Sequence, residues 1–121
     1  MTIVLVAVGG AIGAVSRYYL ERFAVRHWRE RIPYGTATAN LVGALVLGIV
    51  AGLQHRGAVS HDTLLFIGTG FCGALTTFSG FIGQIETRAR HSATRRLAFD
   101  YAATVFAVGL ALAGLGYYLA A

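Results

Sequence analysis

Few side chains in this 121-residue chain can do chemistry, and those few are neutral hydrogen-bonding groups rather than nucleophiles or metal ligands. Asn40 stands in a run, positions 32–54, that carries no charge. An amide there is costly unless it faces protein or water, so it either ties two helices together or lines a polar path as a donor. Positions 68–81 hold four glycines, three threonines and Ser79. Glycine and β-branched threonine are poor helix formers. Either the segment is a close-packed crossing of small residues, or the helix breaks and frees carbonyl oxygens that can hold a small hard cation. Phe78 and Phe81 are three apart and share a helical face. Packing is the usual role of such a pair, but the electropositive edge of a ring can also face an anion. Tyr101 reads as an interfacial aromatic or as a hydroxyl donor. Arg17 reads as a snorkelling side chain or as a fixed positive charge at a pore mouth. Cys72 is the only cysteine, and His27, His55, His61 and His91 lack metal-ligand spacing. With no nucleophile–base pair and no metal cluster, the chain does not read as an enzyme.

The elements that position these residues follow from where the charges fall. The chain is 56% hydrophobic and 12% charged, half the charge of an ordinary soluble domain, and its mean hydropathy is +0.65. Positions 32–54, 63–85 and 101–121 carry no charge, and positions 1–20 carry only Arg17. Each run reaches the roughly 20 residues needed to cross a ~30 Å hydrocarbon core. The chain therefore reads as one all-α membrane domain, 1–121, with four transmembrane helices at about 3–23, 33–54, 63–85 and 98–120, the third of them broken. The first is a retained span rather than a signal peptide, because its arginines come at or after its end. Pro33 suits the first turn of the second helix. Gly9-x-x-x-Gly13 and Gly48-x-x-x-Gly52 predict faces where another backbone approaches closely.

The connectors explain the net charge of +5. The first (21–31) and third (86–100) carry four arginines each, and the second (55–62) carries only Arg56. Eight basic residues against one place the first and third connectors in the cytoplasm and both termini outside. The charge thus reads as topology, not as a nucleic-acid surface. Asp100, four residues after Arg96, predicts a neutralising pair at the membrane edge.

The residues that carry these features also resemble a known family. Gly9-Gly10-x-x-Gly13-Ala14-x-x-Arg17-Tyr18, Gly35-Thr36 through Asn40 with Gly43 and Gly48, and the run Gly70-Phe71-Cys72-Gly73-Ala74-Leu75-Thr76-Thr77-Phe78-Ser79-Gly80-Phe81 are similar to the span signatures of the Fluc/CrcB fluoride channels. The resemblance covers all four spans in order. It implies a fluoride-specific channel of the cell membrane, multi-pass, that exports fluoride and so lowers its concentration and toxicity. It implies an antiparallel dimer with two fluoride pathways. It also implies a structural sodium ion, not transported, held by the backbone carbonyls of Gly73 and Thr76. The fluoride pore it implies is made by Asn40, Phe78, Ser79, Phe81 and Tyr101, with Arg17 as a possible vestibule charge.

Three features depart from the pattern. Gly80 and Val105 stand where the family usually or often has a hydroxyl residue. The resemblance leaves open a homodimer or a heterodimer with an oppositely oriented homologue, and the eight-to-one arginine asymmetry, which predicts a single orientation, points to the second. A small multidrug-type cation/proton transporter is the nearest competitor in size, but it needs an embedded carboxylate, and Glu21 lies at the end of the first span beside Arg22. A non-transporting accessory membrane subunit is the other alternative.

Overall fold

The computed structural model describes residues 1–27 and 34–121, apart from the side chains at positions 25, 34, 78, 79, 84, 88 and 94. Pro33, the expected entry to the second span, lies outside the described residues. The chain is an all-helical, four-span, multi-pass membrane protein. Helix α1 covers Thr2–His27 and α2 covers Tyr34–His55. The third span begins with the single turn α3 (His61–Thr63), runs on as a π-helix (Leu64–Cys72) and closes with the turn α4 (Gly73–Leu75). Thr76 is then extended, at φ −79° and ψ 152°, and α5 (Phe78–Ala89) resumes. Helix α6 covers Ser92–Ala120. The segments long and apolar enough to span are Thr2–Ala24, Gly35–His55, His61–Thr87 and Arg95–Ala120.

Local chemistry sets the ends. Gly57 takes φ +77°, the left-handed conformation that closes α2. Its N–H donates to the Gln54 carbonyl at 3.0 Å, and the Ala58 N–H donates to the Leu53 carbonyl at 2.9 Å. Both carbonyls at the helix end are thereby satisfied. Ser60 caps α3 by accepting from the Thr63 N–H at 3.2 Å.

Glycines carry the packing between spans, because lipid tails give apolar helices no reason to associate and close backbone approach must do so instead. A β-carbon on Gly9 would strike the Phe66 carbonyl, and one on Gly13 the Phe71 carbonyl. From the other side, Gly70 abuts the Val6 carbonyl and the Gly10 N–H. Helix α1 thus lies directly on the π-helix. Gly48 and Gly52 press against Ala113 and Tyr117 of α6, and Gly116 returns the contact against Leu45. The buried share is 39% and 31% in the second and third spans and 11% and 6% in the first and fourth, so α2 and the third span form the inner layer. Side chains such as Ile3, Phe106 and Leu119 point outward, as a lipid-facing surface requires.

Two features go beyond the sequence reading. The break falls at Thr76–Thr77, just past the middle of the expected segment 68–81, and the approach to it is a π-helix in which the Gly73 N–H reaches back to the Gly68 carbonyl. The exposed pair Arg96 Nε–Asp100 Oδ2 forms as the spacing predicts, at 3.9 Å.

Candidate functional site

The break in the third span is held open by Asn40 of α2. The Thr77 N–H donates to Asn40 Oδ1 at 2.9 Å, and Asn40 Nδ2 donates to the Thr77 carbonyl at 3.3 Å. The first bond fixes which amide atom is oxygen, since a backbone N–H needs an acceptor. Asn40 is therefore an interhelical tie. Its second Nδ2 hydrogen has no partner among the described residues, so the same amide also keeps a donor to offer.

The tie redirects the helical hydrogen bonds around it. In a continuous α-helix the Thr77 N–H would serve the Gly73 carbonyl, and the Gly80 N–H would serve Thr76. Here the Thr77 N–H is taken by Asn40, and the Gly80 N–H donates to Thr77 Oγ1 at 3.3 Å. That second bond makes Thr77 the N-cap of α5. The carbonyls of Gly73 and Thr76 are left without a donor among the described residues. By contrast the Cys72 carbonyl accepts twice, from the Thr76 N–H at 3.0 Å and from Thr76 Oγ1 at 2.9 Å.

Gly73 and Thr76 both border an open groove of about 450 Å³ between α2 and the third span, floored by Gly43, Gly68 and Cys72 with Leu47 at its side. Gly73 is exposed, with nothing within 4 Å of where its β-carbon would be. Gly43 is the reverse, since a β-carbon there would strike the Thr76 methyl. Among the described residues no three His, Cys, Asp or Glu side chains converge, so a cation at this groove would be bound by neutral oxygens.

Phe81 and Tyr101 are brought together on the other side of the break. Their ring centroids are 5.9 Å apart at 44°. Phe81 is only 7% exposed and packs in a cluster with Ala37, Ile85, Ala98 and Val105, joined by Leu41 and Tyr101. Val105, which stands where the family often has a hydroxyl, is part of that apolar packing. Gly80 sits over Thr77, and a β-carbon there would come within 3.2 Å of the threonine methyl. The side chains of Phe78 and Ser79 lie outside the described residues. Arg17 is half-buried, and its ionic contact is with Glu21 four residues on, at 4.0 Å. In the third connector, the Glu86 carboxylate 2.7 Å from Arg90 raises the pKa of that guanidinium through its hydrogen bond and charge.

Thr77 is the residue that the sequence reading left out of the site. A threonine three residues ahead of Gly80 is the spacing of a helix N-cap, which was the available signal. Nothing local shows that its backbone is held by a residue 37 positions away.

Comparison with known proteins gives a consistent picture. The family model described as CrcB-like protein, Camphor Resistance (CrcB), matches residues 4–117. The chain is 40% identical over 120 residues to the fluoride-specific ion channel FluC 2 of Rhodococcus jostii, covering 98% of each. It is 38% identical over 119 residues to the fluoride-specific ion channel FluC of Hyphomonas neptunium, covering 96% of this chain and 92% of that one. It is 42% identical over 113 residues to the FluC 2 channel of Mycobacterium tuberculosis H37Rv, covering 92% and 84%.

Proposed function

The chain belongs to the CrcB family, and with that as premise we propose that it is a fluoride channel which lets fluoride leave the cell and so lowers its concentration and toxicity. The observation that carries this reading is the break at Thr76–Thr77, where one amide ties two inner-layer helices and still offers an N–H. Fluoride is small and tightly hydrated, so a pore must replace water with donors and weakly positive edges. Asn40 Nδ2, the Tyr101 hydroxyl and the Phe81 ring edge are such groups, and Phe78 and Ser79 stand just before Phe81 in the chain. No aspartate or glutamate lies mid-span to repel an anion.

Sodium enters this proposal as a structural ion, not as cargo. The carbonyls of Gly73 and Thr76 fit a hard monovalent cation, because redirection of the Thr77 and Gly80 N–H groups leaves both without a donor. When bound, the ion supplies positive potential near the anion path. The residues themselves do the rest. Asn40 holds the break open, Thr77 caps the helix that follows, and Gly73 leaves its side of the groove uncovered.

An uncovered groove of small residues at membrane depth supports an antiparallel dimer, with each subunit covering the other. The arginine asymmetry of eight to one favours a single orientation, so the second subunit is an oppositely inserted homologue rather than another copy. The experiment is reconstitution of this chain alone into liposomes, with a fluoride electrode and labelling of single cysteines introduced in the connectors. The expected result is one orientation and little efflux until the complex is supplied whole. Robust efflux by the lone chain, with both orientations labelled, overturns the heterodimer. Chloride flux equal to fluoride from the whole complex overturns the channel assignment.

A further inference from the structure

At the arginine-rich end of α1, straddling the last residue of its spanning segment at Ala24, the helix carries a patch that the fluoride path does not use. Tyr19 and Leu20 line its membrane side, and Arg22, Phe23, Arg26 and His27 the part beyond, around a concavity of about 640 Å³. Every described residue of the lining belongs to α1, and no acid is among them. Among the described residues, the carboxylate beside the patch, Glu21, faces Arg17 at 4.0 Å. Arg22 is braced, with Nη1 donating to the Tyr18 hydroxyl at 3.0 Å and its guanidinium 5.8 Å from the Tyr18 ring centroid. That leaves most of its five N–H groups to face outward. Arg26, one turn on, is exposed and makes no hydrogen bond or ion pair with any described residue. The Phe23 and His27 rings stack at 4.0 Å and 20°, walling one side.

The geometry points to a binding site for the phosphate of an anionic phospholipid. Two guanidinium groups at i and i+4 lie on one helix face and present forks suited to a phosphate. Tyr19 and Leu20 lie on the membrane side of both, and Phe23 stands between the two arginines along the helix. From Leu20 to Arg26 the helix rises about 9 Å, the depth over which a lipid passes from headgroup to acyl chain. A soluble phosphate would match the arginines but not the aromatic rings beside them, which are exposed at Tyr19 (63%) and Phe23 (49%). The site stands independently of which ion the protein conducts.

The test is native mass spectrometry of the purified complex with equimolar dioleoylphosphatidylglycerol and dioleoylphosphatidylcholine. Retention of the anionic lipid at least about fivefold above the zwitterionic one is expected, the factor contributed by a single basic group at an anionic surface. Arg22→Gln with Arg26→Gln should bring the two lipids level, and Arg95→Gln with Arg96→Gln should leave the preference unchanged. Millimolar inorganic phosphate should not displace the lipid. Equal retention of both lipids by the unaltered protein overturns the site. So does an unchanged preference in the Arg22/Arg26 variant, an equal loss in the Arg95/Arg96 variant, or displacement by inorganic phosphate.

Discussion

Helix α2 makes two contacts built on opposite principles. Where α2 meets α6, Gly48, Gly52 and Gly116 bring backbone against backbone with no side chain between. Where α2 meets the third span, a polar side chain does the joining, through the two bonds between Asn40 and Thr77. The first contact leaves both helices regular and is steric. The second exists because one helix is not regular, and it consumes an N–H that would otherwise keep the helix closed. Strength of association and an opening in the backbone are thus supplied by different residues of the same helix, eight positions apart. Substitutions should separate the two.

The largest effect is expected at the glycine contact. In Gly48→Leu the new side chain meets the Ala113 carbonyl, which cannot give way without moving α6. Overpacking costs about 1–3 kcal/mol and more where backbone must shift. The variant should lose its monodisperse size-exclusion peak in detergent, and a wild-type elution profile would show that α2 and α6 are not in close contact. Next comes Asn40→Ala, which orphans the Thr77 N–H at about 1–3 kcal/mol if it stays dry. Thermal unfolding should shift down and fluoride flux should fall with it. Asn40→Asp sharpens the point, since it keeps the acceptor for the Thr77 N–H but replaces the whole donating amino group, the bond to the Thr77 carbonyl included, with a carboxylate oxygen. It should abolish the flux, and the charge at membrane depth should make it no more stable than Asn40→Ala.

Smaller effects are expected further along the third span. Phe81→Ile should suppress flux while leaving the assembly intact, measured by efflux and by size-exclusion together. Its burial with Ala98 and Val105 means that some stability goes as well. Thr77→Val should be milder still. It removes the cap on α5, worth about 1 kcal/mol, but leaves the backbone groups that Asn40 holds. A Thr77→Val protein as unstable as Asn40→Ala would place the tie in the threonine side chain rather than in its backbone.

The four spans were legible because apolar runs of membrane length are a one-dimensional signal. The glycine contacts were legible because Gly9/Gly13 and Gly48/Gly52 recur at one helical turn. The Arg96–Asp100 pair followed from spacing alone. The break was legible only as a composition, glycine and threonine over 68–81, and not as a place. Its position at Thr76–Thr77 depends on Asn40, which is far off in the chain, and no local pattern encodes that partner. Asn40 itself was read as either a tie or a polar-path donor, and the two bonds to Thr77 show the tie, while the one hydrogen left over makes the donor reading a matter for the flux measurements. The π-helix was not legible, because an apolar run such as Leu64–Cys72 has no polar face from which a change of helical register can be seen. Gly73 and Thr76 came to notice through the family resemblance. Their lost helical donors supply a physical reason to look at those two carbonyls and not at that of Cys72.

The most direct test of the account is fluoride efflux from liposomes carrying the complex purified through a tag on this chain, measured with sodium present and with sodium replaced by N-methylglucamine, and repeated with chloride. If the break forms a fluoride path organised around a structural cation, efflux should be fast for fluoride, absent for chloride, and lost when sodium is removed for long enough to leave the carbonyls of Gly73 and Thr76. Fluoride efflux that persists unchanged without sodium, or chloride flux of equal size, would contradict it.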